Sequence, residues 1–456
     1  MENNLSDLII SHDSTIRQSI KAIDKNGLRG VFVCDEGELL GIVMDSDIRR
    51  AILKNIDLDV SVKTIMKTSP FVINEKLNNI ERFNSVISSG KLLVPVINDN
   101  SIVIDYINLN DLLNDLYTLN KTKSKTYNSQ INRNILVIGG AGYIGSVLVS
   151  KLISLNYNVR VLDLLLYGKE NLQYITHGKD IDFIRGDCRH EEVIKKSLNG
   201  INIVIHLGEI VGDPACSINE AFTIDVNYSA TQMIVEQCVR FGISKFIFAS
   251  SCSVYGQTDY EVNESSPTNP ISLYARCKIE SENAILGYQN NFFSPTILRL
   301  ATVHGMSFRQ RFDLVINYLT IKALVEKKIQ IFGGEQWRPF ISVKDVCKGI
   351  IAILKSDINI VKNQIYNLGD SEENYTLNQI GLIINELIKD VNIERLKDKV
   401  DERNYKVNFD KIHQNIGFKA DYSVKETIND FIKTFKADHK FSDFQRAQYH
   451  NKYCLT

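Results

Sequence analysis

From residue 134 onward, short apolar runs alternate with stretches of helical length. Five of these runs are rich in β-branched residues and end in Gly, Asp or a polar cluster: "NILVIGG", "NVRVLDL", "IDFIRGD", "NIVIHLG" and "SKFIFAS". Continuous apolar runs separated by helices are typical of parallel strands that are buried on both faces. The pattern therefore predicts an α/β fold with a doubly wound parallel sheet. From about residue 306 it mixes helices with short strands, which predicts a smaller C-terminal lobe.

The first part of the chain has a different pattern, which occurs twice. The sequence of residues 30–53, "GVFVCDEGELLGIVMDSDIRRAIL", is followed by a similar one at residues 93–116, "LVPVINDNSIVIDYINLNDLLNDL". Each copy predicts two short strands joined by an Asp/Asn/Gly turn and then a helix, and a further helix precedes each copy. We therefore predict an α+β module made of two repeats.

A polar segment without apolar periodicity separates this module from the α/β domain. We place the repeat module at residues 1–120, the linker at residues 121–132 and the α/β domain at residues 133–456. Within that domain we expect the sheet core over about residues 133–305 and the smaller lobe mainly over about residues 306–435.

A glycine-rich turn joins the first strand of the α/β domain to its first helix. In "NILVIGGAGYIGSVLVSKL" the residues Gly139, Gly142 and Gly145 have the spacing G-x-x-G-x-x-G. Glycines in this context let a pyrophosphate approach the backbone and the helix N-terminus. The next strand ends at Asp163, 18 residues after Gly145, where a carboxylate suits the 2′-hydroxyl of an adenosine ribose. The turn therefore predicts a Rossmann-type dinucleotide site that prefers NAD to NADP.

Two further strand ends are expected to line the same cofactor. Asp187 and Cys188 follow the third strand, and Asp187 is a candidate acceptor for the adenine amine. His206 and Leu207 end the fourth strand, and His206 is either a catalytic base or a packed strand-end residue. From these strand ends and the glycine turn, the predicted cofactor-binding residues are Gly139, Gly142, Tyr143, Ile144, Gly145, Asp163, Asp187, Cys188 and Leu207.

Tyr274 and Lys278 stand four residues apart at the start of a predicted helix, after the turn-rich "SSPTNPIS". This spacing puts both side chains on one helix face, where we expect both to contact the cofactor. A nearby ammonium favours the phenolate, so we expect the pKa of Tyr274 to fall from its usual value of about 10. A tyrosine activated in this way takes the proton of a hydroxyl while the adjoining carbon gives a hydride to nicotinamide.

The G-x-x-G-x-x-G spacing and the Tyr-x-x-x-Lys pair resemble the extended branch of the short-chain dehydrogenase/reductase superfamily, over about residues 133–435. Members of this branch act on nucleotide sugars. The resemblance implies that the catalytic serine is Ser251 in "ASSCSVYG", 23 residues before Tyr274, with Ser250 as the alternative if the register slips by one. It also implies a nucleotide-diphosphate sugar as substrate, tightly bound NAD, a homodimer or homotetramer, and a place in the supply of sugars for cell-surface polysaccharides.

The two positions after Ser251 separate the reactions of this family. Members that eliminate water carry an Asp-Glu pair there, and members that decarboxylate a uronic acid carry a Glu at the second position. This chain has Cys252 and Ser253, so the resemblance implies either epimerisation through a 4-keto sugar or net oxidation or reduction at C4. Cys252 is either a proton carrier beside the keto group or a small packed residue. A non-catalytic nucleotide sensor is the remaining alternative.

The C-terminal lobe supplies the residues that the resemblance places on the sugar nucleotide. Thr302 stands where some 4-epimerases have an Asn to the substrate phosphate, and Arg309 and Arg311 follow in the same loop. In "GGEQWRPFISVKDV", Arg338 matches an arginine that binds the diphosphate in a bidentate manner, and Arg403 is a second candidate. The predicted substrate-binding residues are Cys252, Ser253, Thr302, Arg311 and Arg338.

The N-terminal repeats resemble a pair of CBS domains, which typically bind adenine nucleotides as regulatory ligands. Asp47 and Asp111 stand at the ribose-binding position of that family, but Met44 stands where the first repeat would carry a hydroxyl. Both aspartates also suit the N-cap of a helix. The resemblance therefore leaves open a nucleotide-sensing role and a structural or dimerising role.

Composition and charge limit the partners, metal sites and cellular location that we expect for this chain. The chain has 44% hydrophobic and 23% charged residues and a net charge of −1, which is ordinary for a globular protein and gives no argument for nucleic acid or an anionic membrane as partner. The N-terminal "MENNLSDLIISHD" lacks the apolar core of a signal peptide, and no run approaches the ~18 apolar residues of a membrane span. The eight cysteines form no C-x-x-C pair, so we expect no metal site, no disulfide framework and a cytoplasmic location.

Overall fold

The computed structural model describes residues 4–77, 81–82, 85–86, 89, 91–109, 134–169, 175, 181–289, 293–396 and 401–454. These residues form two compact units. The N-terminal unit contains the described residues up to 109, together with Val235–Gly242 and the described part of Asn283–Phe293, and the larger unit contains the rest. The predicted linker and Asp111 lie outside the described residues.

The N-terminal unit contains two three-stranded sheets of the same plan. Its helices are α1 (Ile16–Asn26) and α2 (Asp45–Leu53), and its strands are β1 (Ile9–Ser11), β2 (Gly30–Asp35), β3 (Glu38–Met44), β4 (Ile73–Asn74), β5 (Leu93–Ile97) and β6 (Val103–Asn108). In the first sheet β1 pairs with β2 in parallel, and β2 pairs with β3 antiparallel. In the second sheet β4, β5 and β6 pair in the same way. This shared topology confirms the predicted internal repeat.

Asp47, one of the two predicted nucleotide ligands, caps the start of α2. Its carboxylate accepts a hydrogen bond from the Met44 backbone N–H at 3.0 Å. Arg50 and Lys67 each place a cationic nitrogen 3.2 Å from the same carboxylate. The structure therefore gives Asp47 the contacts of a helix-capping residue.

The larger unit is organised around a seven-stranded sheet. In chain order, the strands of this unit are β7 (Asn134–Ile138), β8 (Asn158–Asp163), β9 (Asp182–Arg185), β10 (Ile203–His206), β11 (Lys245–Ser251), β12 (Gln257–Val262), β13 (Ser294–Leu300), β14 (Thr302–His304), β15 (Lys328–Phe332), β16 (Trp337–Ser342), β17 (Gln364–Leu368), β18 (Asn374–Thr376), β19 (Asn392–Leu396) and β20 (Asn404–Val407). The main sheet has the order β17-β13-β11-β10-β7-β8-β9.

Every neighbouring pair in this sheet is parallel. The chain moves outward from β7 through β8 to β9, and then returns to β10 on the other side of β7. In such sheets ligands bind beyond the carboxyl ends of the strands at this switch point, here between β7 and β10. The predicted doubly wound sheet is confirmed.

Helices connect most of these strands. Between residues 134 and 454 they are α3 (Tyr143–Ser154), α4 (Glu191–Leu198), α5 (Asp213–Cys216), α6 (Glu220–Ile224), α7 (Ala230–Arg240), α8 (Leu273–Gly287), α9 (Val315–Glu326), α10 (Val343–Lys355), α11 (Ile358–Val361), α12 (Leu377–Leu387), α13 (Asp410–Ile416) and α14 (Val424–Asp438). The apolar runs that predicted the strands are buried, as Leu136, Val204 and Phe246 show. Within the ranges given above, every helix is too short or too polar to span a bilayer.

The main sheet also contains a strand from the region after residue 305, which we assigned mainly to the C-terminal lobe. β17 pairs with β13 along its length, and Val346 and Ile350 of α10 pack in the same core as Ile135 of β7. The run "QIYNL" of β17 is short and interrupted by polar residues, so its pattern does not distinguish it from a lobe strand. The core therefore extends beyond residue 305.

The lobe is built from three small sheets beside the main one. β15 pairs with β19, β14 and β18 flank β16, and β12 pairs with β20. Helices α9, α12 and α14 share a separate apolar core with β15, which includes Ile316, Ile329, Ile384 and Ile428. These strands and their loops form the second side of the site.

Candidate active site

A cleft of about 460 Å³ opens at the carboxyl end of the main sheet, beside the switch point between β7 and β10. The predicted site residues that line it are Gly139, Gly142, Tyr143, Ile144, Gly145, Leu207, Ser251, Ser253, Tyr274, Lys278, Thr302, Arg311 and Arg338. The fold therefore brings the glycine turn, the Ser/Tyr/Lys set and two predicted arginines into one cavity.

The glycine turn packs backbone against backbone beside this cleft. Gly139 has a φ of +80°, and a Cβ at this position would lie 2.7 Å from the backbone of Gly208. A Cβ at Gly145 would overlap the carbonyl oxygen of Gly139. Gly142 is the N-cap of α3 and lines the cleft, so the positive end of the helix lies at the cavity. These features fit a bound pyrophosphate.

A smaller cavity of about 120 Å³ shares part of its lining with the cleft, including Gly139 and Leu207. The other predicted cofactor residues line it: Asp163, Asp187 and Cys188. Because this cavity adjoins the glycine turn and carries three carboxylates, those of Asp163, Asp187 and Glu209, it suits the adenosine end of a dinucleotide.

The two predicted carboxylates in the smaller cavity, Asp163 and Asp187, have partners. Asp163 accepts hydrogen bonds from the backbone N–H groups of Ala141 at 2.9 Å and Leu165 at 2.8 Å, and burial raises its pKa. Asp187 pairs with Arg189 at 2.6 Å. Burial favours the neutral form of Asp187, but Arg189 holds its pKa below the usual range. Asp187 is therefore an anion that can accept a hydrogen bond from an amine.

Ser251, Tyr274 and Lys278 meet where β11 ends and α8 begins. Ser251 is the last residue of β11, and its side chain is hydrogen-bonded to that of Tyr274. The Lys278 ammonium lies 5.6 Å from the centre of the Tyr274 ring. It donates hydrogen bonds to the Ala249 carbonyl and to the Glu209 carboxylate. The predicted set is thus assembled, together with a carboxylate that was not predicted.

The pKa of Tyr274 departs from the expectation. Burial raises it well above the usual value, Glu209, Cys216 and Asp213 add to the rise, and the hydrogen bond with Ser251 opposes it. The prediction that Lys278 lowers the pKa of Tyr274 is therefore wrong. The physical reason is that Glu209 balances the charge of Lys278, while the protein interior disfavours a phenolate.

Ser250, the alternative to Ser251, also lines the cleft, but its hydroxyl belongs to a buried network. Its hydroxyl donates a hydrogen bond to Glu282. Arg299 donates to the same carboxylate at 2.7 Å, and to the hydroxyl of Tyr255 at 3.0 Å. Since the hydroxyl proton of Ser250 is engaged there, the geometry favours Ser251 as the partner of a reacting oxygen.

Arg338 and Arg403 line the cleft and are held by carboxylates. Arg338 lies 3.0 Å from Asp401, and Arg403 lies 2.9 Å from Asp401 and 2.6 Å from Asp213. Although burial favours the neutral form of Asp401, the two arginines hold its pKa at about 2. Arg403, the second candidate in the sequence, therefore belongs to the same cluster as Arg338.

Arg309 and Arg311 come from the loop between β14 and α9, and both line the cleft. Arg311 donates a hydrogen bond to Asp313 at 2.8 Å, and Arg309 stacks over the ring of Tyr167 at 4.1 Å. The backbone N–H of Asn451 donates to Asp313 at 3.1 Å. The C-terminal residues thereby hold the arginine loop in place.

Two candidate residues are packed away from the cavity. Cys252 is not among the residues that line the cleft; it packs in the sheet core, and its thiol donates to the Arg299 carbonyl at 3.3 Å. The predicted substrate contact of Cys252 is therefore corrected to the packed-residue alternative. His206 is hydrogen-bonded to Thr231 at 3.0 Å, and burial lowers its pKa to about 3. His206 is a packed strand-end residue.

The amino-acid sequence and the structure of this chain are similar to those of known proteins. A family model described as the NAD dependent epimerase/dehydratase family matches residues 135–369. A protein of Methanocaldococcus jannaschii named "Putative UDP-glucose 4-epimerase" is 32% identical over 314 residues, which are 67% of this chain and 99% of that protein. The chain belongs to the NAD-dependent epimerase/dehydratase family.

Other relatives include more than one reaction type. The dTDP-D-glucose 4,6-dehydratase of Bos taurus is 28% identical over 334 residues, 69% of this chain and 92% of that protein. UDP-glucuronic acid 4-epimerase from Bacillus cereus, solved in complex with UDP-glucuronic acid and NAD, aligns with a TM-score of 0.59 and 27% identity over 66% of this chain and 99% of that chain. A CBS domain model matches residues 5–54, the first N-terminal repeat. These findings confirm the predicted family and the CBS assignment.

This epimerase/dehydratase family member presents charged and polar residues in its cleft that the sequence analysis missed: Glu209, Asp213, Asp401 and Asn451. Glu209 comes two residues after Leu207, next to a strand end that was predicted to line the cofactor. Its position in the sequence could therefore have identified it as a site residue. The other three enter the cleft through contacts between distant parts of the chain, for which no local motif exists.

Proposed function

We propose that the chain is an NAD-dependent nucleotide-sugar epimerase that works through a 4-keto sugar by reversible hydride transfer. The observation that carries this proposal is the meeting of Ser251, Tyr274 and Lys278 with the glycine turn in one cleft. Relatives named as UDP-glucose and UDP-glucuronic acid 4-epimerases support it.

The residues at the switch point fit NAD. The glycine turn and the N-terminus of α3 would hold its pyrophosphate, and Asp163 would accept a hydrogen bond from the adenosine ribose. Both oxygens of Asp163 already accept a backbone N–H, but a carboxylate oxygen can accept more than one hydrogen bond. Lys278 would bind the ribose next to nicotinamide. When bound, NAD supplies the acceptor and donor of a hydride.

The arginines of the lobe fit the diphosphate of a nucleotide sugar. Arg311, Arg338 and Arg403 line the same cleft as the glycine turn, and each is buried or half-buried. Guanidinium groups bind phosphate oxygens with paired hydrogen bonds. A diphosphate would replace Asp401 as the partner of Arg338, and the attached sugar would then occupy the cleft that Tyr274 also lines.

Tyr274 would act as the base and then the acid of the reaction. Its phenolate takes the proton of the C4 hydroxyl while the C4 hydrogen leaves as hydride, and Ser251 donates a hydrogen bond to the same oxygen. The keto sugar then turns within the cleft, held by its diphosphate. The hydride returns to the opposite face of C4, and Tyr274 returns the proton to the oxygen.

The positions after Ser251 favour epimerisation over elimination. Cys252 is packed in the core, and Ser253 is the only one of the two that lines the cleft. Neither residue carries a carboxylate for the removal of water across C5–C6 or for decarboxylation. The lack of a carboxylate at these two positions supports epimerisation rather than the reaction of the dehydratase relatives.

A net 4-ketoreductase is the second candidate, because one observation favours it. The raised pKa of Tyr274 keeps the side chain as a phenol, the form that gives a proton to a ketone. A reductase would need NADH from an external source in each turnover, whereas an epimerase regenerates its cofactor.

We also propose, from the resemblance, a cytoplasmic homodimer or homotetramer in which the CBS unit binds a regulatory adenine nucleotide. The contacts of Asp47 with Met44, Arg50 and Lys67 support a structural role for that residue, so a nucleotide would depend on other groups. Titration of AMP and ATP against the activity of the full-length protein tests the regulatory role, and light scattering tests the oligomer.

The experiment that tests the main proposal is incubation of the full-length protein with a panel of nucleotide-diphosphate sugars. NADH absorbance and the NMR spectrum of the product are followed together. We expect a C4 epimer without net NADH, and no product from Tyr274→Phe. A sustained change in NADH would favour the reductase, a deoxy keto sugar would show dehydration, and no turnover of any sugar would contradict both candidates.

A further inference from the structure

Glu209 lies on the loop that follows β10, next to the switch point of the sheet. Its side chain is 2% exposed, yet it lines both the large cleft and the smaller cavity. A carboxylate buried this deeply needs a cationic or hydrogen-bonding partner. Glu209 therefore lies where the two parts of the proposed cofactor site meet, and the cation that pairs with it belongs to the same site.

That partner is Lys278. The Lys278 ammonium is 3% exposed and donates hydrogen bonds to the Glu209 carboxylate and to the Ala249 carbonyl. The Glu209 carboxylate comes from the loop after β10, and the Ala249 carbonyl belongs to the neighbouring strand β11. Together these two acceptors fix the position of the ammonium. Because Glu209 balances its charge, Lys278 does not present an uncompensated positive charge to Tyr274.

The carboxylate of Glu209 also lies beside a hydroxyl from the neighbouring helix. Thr231 of α7 acts on this carboxylate by a hydrogen bond that favours its charged form, and the Thr231 hydroxyl also donates to the Asn227 carbonyl at 2.9 Å. Glu209 is therefore contacted by Lys278 and by a hydroxyl of α7.

The charges around Tyr274 come from three elements. The titratable groups that act on it are Glu209 from the loop after β10, Asp213 and Cys216 from α5, and Lys278 from its own helix. Asp213 is balanced by Arg403, and burial raises the pKa of Cys216 so that it stays a neutral thiol. Cys188 and Cys277 also lie in the field of Glu209, and burial raises the pKa of each to about 12. Glu209 is thus the carboxylate that acts most directly on the Tyr274–Lys278 pair.

We propose that Glu209 is a positioning residue that holds Lys278 beside Tyr274 and balances its charge, so that the charge of Glu209 helps to set the pH at which Tyr274 exchanges a proton with the sugar oxygen. The inference rests on the proposed function for the role of Tyr274 as acid and base.

The direct test is an NMR titration of Tyr274 in the full-length protein, without sugar. Tyrosine labelled with carbon-13 at Cζ reports phenol ionisation, and the Tyr274 signal is assigned by its loss in Tyr274→Phe. We compare the wild type with Glu209→Gln, which keeps the shape and removes the charge. We expect Tyr274 to ionise about one pH unit or more lower in Glu209→Gln, and the pH midpoint of sugar oxidation to fall by a similar amount.

Asp47→Asn is the matched control, because Asp47 is also a buried carboxylate paired with cations but contacts Arg50 and Lys67 in the N-terminal unit. This variant should not change the pH range over which Tyr274 ionises. If Glu209→Gln does not fold, Glu209→Ala is titrated instead, with the same expected shift. Ionisation of Tyr274 over the same pH range in wild type and variant would overturn the inference. Failure of the wild type to turn over any sugar would instead contradict the proposed function. The two results are distinguishable because the titration is measured without substrate.

Discussion

The carboxylate of Asp213 lies 2.6 Å from the guanidinium of Arg403, although one residue follows a strand of the main sheet and the other belongs to the lobe. Asp213 begins α5 after β10, and Arg403 directly precedes β20. Asp401 joins the cluster through Arg338 and Arg403. The arginines proposed to bind diphosphate are therefore held in place by carboxylates, which limits the side-chain conformational freedom lost on binding.

Replacing Arg338 with Lys should weaken the binding of nucleotide sugar. The variant keeps the charge but loses the paired hydrogen bonds, so we expect KM to rise about tenfold while kcat changes little. Steady-state kinetics with the best sugar of the panel measures both. Arg160→Lys is the matched control, because Arg160 pairs with Asp182 at 2.6 Å outside the cleft lining. An unchanged KM in Arg338→Lys would contradict the assignment.

Replacing Asp401 with Asn should tighten substrate binding. Since the arginines hold the pKa of Asp401 at about 2, its carboxylate is charged at neutral pH and competes with a diphosphate. Removing one negative charge at this distance should lower the Kd for a nucleoside diphosphate about tenfold. Calorimetric titration measures the Kd, with Asp182→Asn as the control. Weaker binding by Asp401→Asn would contradict the prediction and show that the lost positioning of Arg338 outweighs the removed negative charge.

The buried pair of Glu282 and Arg299 should stabilise the larger unit. Glu282 stands four residues after Lys278 on α8 and connects this helix to β11 and β13 through Ser250 and Arg299. Glu282→Gln leaves Arg299 without its charge partner, so we expect a loss of about 3–5 kcal/mol in the free energy of unfolding.

Urea denaturation followed by the fluorescence of Trp337 measures this loss. Trp337 is the one tryptophan of the chain and lies on β16 of the larger unit, so it reports the unit that carries the pair. The exposed Asp259 provides the control, because Asp259→Asn should leave the urea midpoint unchanged. Equal midpoints for Glu282→Gln and Asp259→Asn would contradict the prediction.

The sequence predicted the main sheet and most of the cleft because both depend on local patterns. The apolar runs of β7, β8 and β10 mark buried strands, and the glycine turn carries its own geometry. Parallel strands place their carboxyl ends at one edge, so residues at those ends were expected to meet. Tyr274 and Lys278 were paired by helix periodicity and by their position after the fifth strand, whereas Ser251 and Arg338 were assigned from the family resemblance.

The parts that could not be predicted depend on contacts between distant segments. Glu209 reaches Lys278 because β10 and β11 are neighbours and α8 packs over their ends. That contact, with burial, reverses the expected direction of the pKa shift of Tyr274. Cys252 was placed near the substrate because it follows Ser251, but the turn at Cys252–Tyr255 directs its side chain into the core.

Oxidation of the sugar should speed up as the pH rises through the neutral range. The pKa of Tyr274 is raised, so the phenol predominates at neutral pH and the fraction of phenolate grows about tenfold per pH unit below that pKa. Single-turnover reduction of bound NAD, followed by NADH absorbance after mixing with sugar, measures this rate. A rate that does not change with pH would contradict the role of Tyr274 as base.

Tyr274→Phe should reduce the same rate at least about 100-fold, because no proton acceptor remains on the sugar oxygen. Tyr260→Phe is the control: Tyr260 is 57% exposed and lies outside the lining of the cleft. Wild-type rates in Tyr274→Phe would show that another group takes the proton.

The most direct test of the account is to follow a deuterium label placed at C4 of the nucleotide sugar. An epimerase returns the same hydride to the same carbon, so we predict a C4 epimer that keeps its deuterium at C4, formed without added NADH. Dehydration would move the deuterium to C6, and a net oxidoreductase would lose it to free cofactor. Either of those results, obtained with the full-length protein and absent in Tyr274→Phe, would contradict the proposed epimerase.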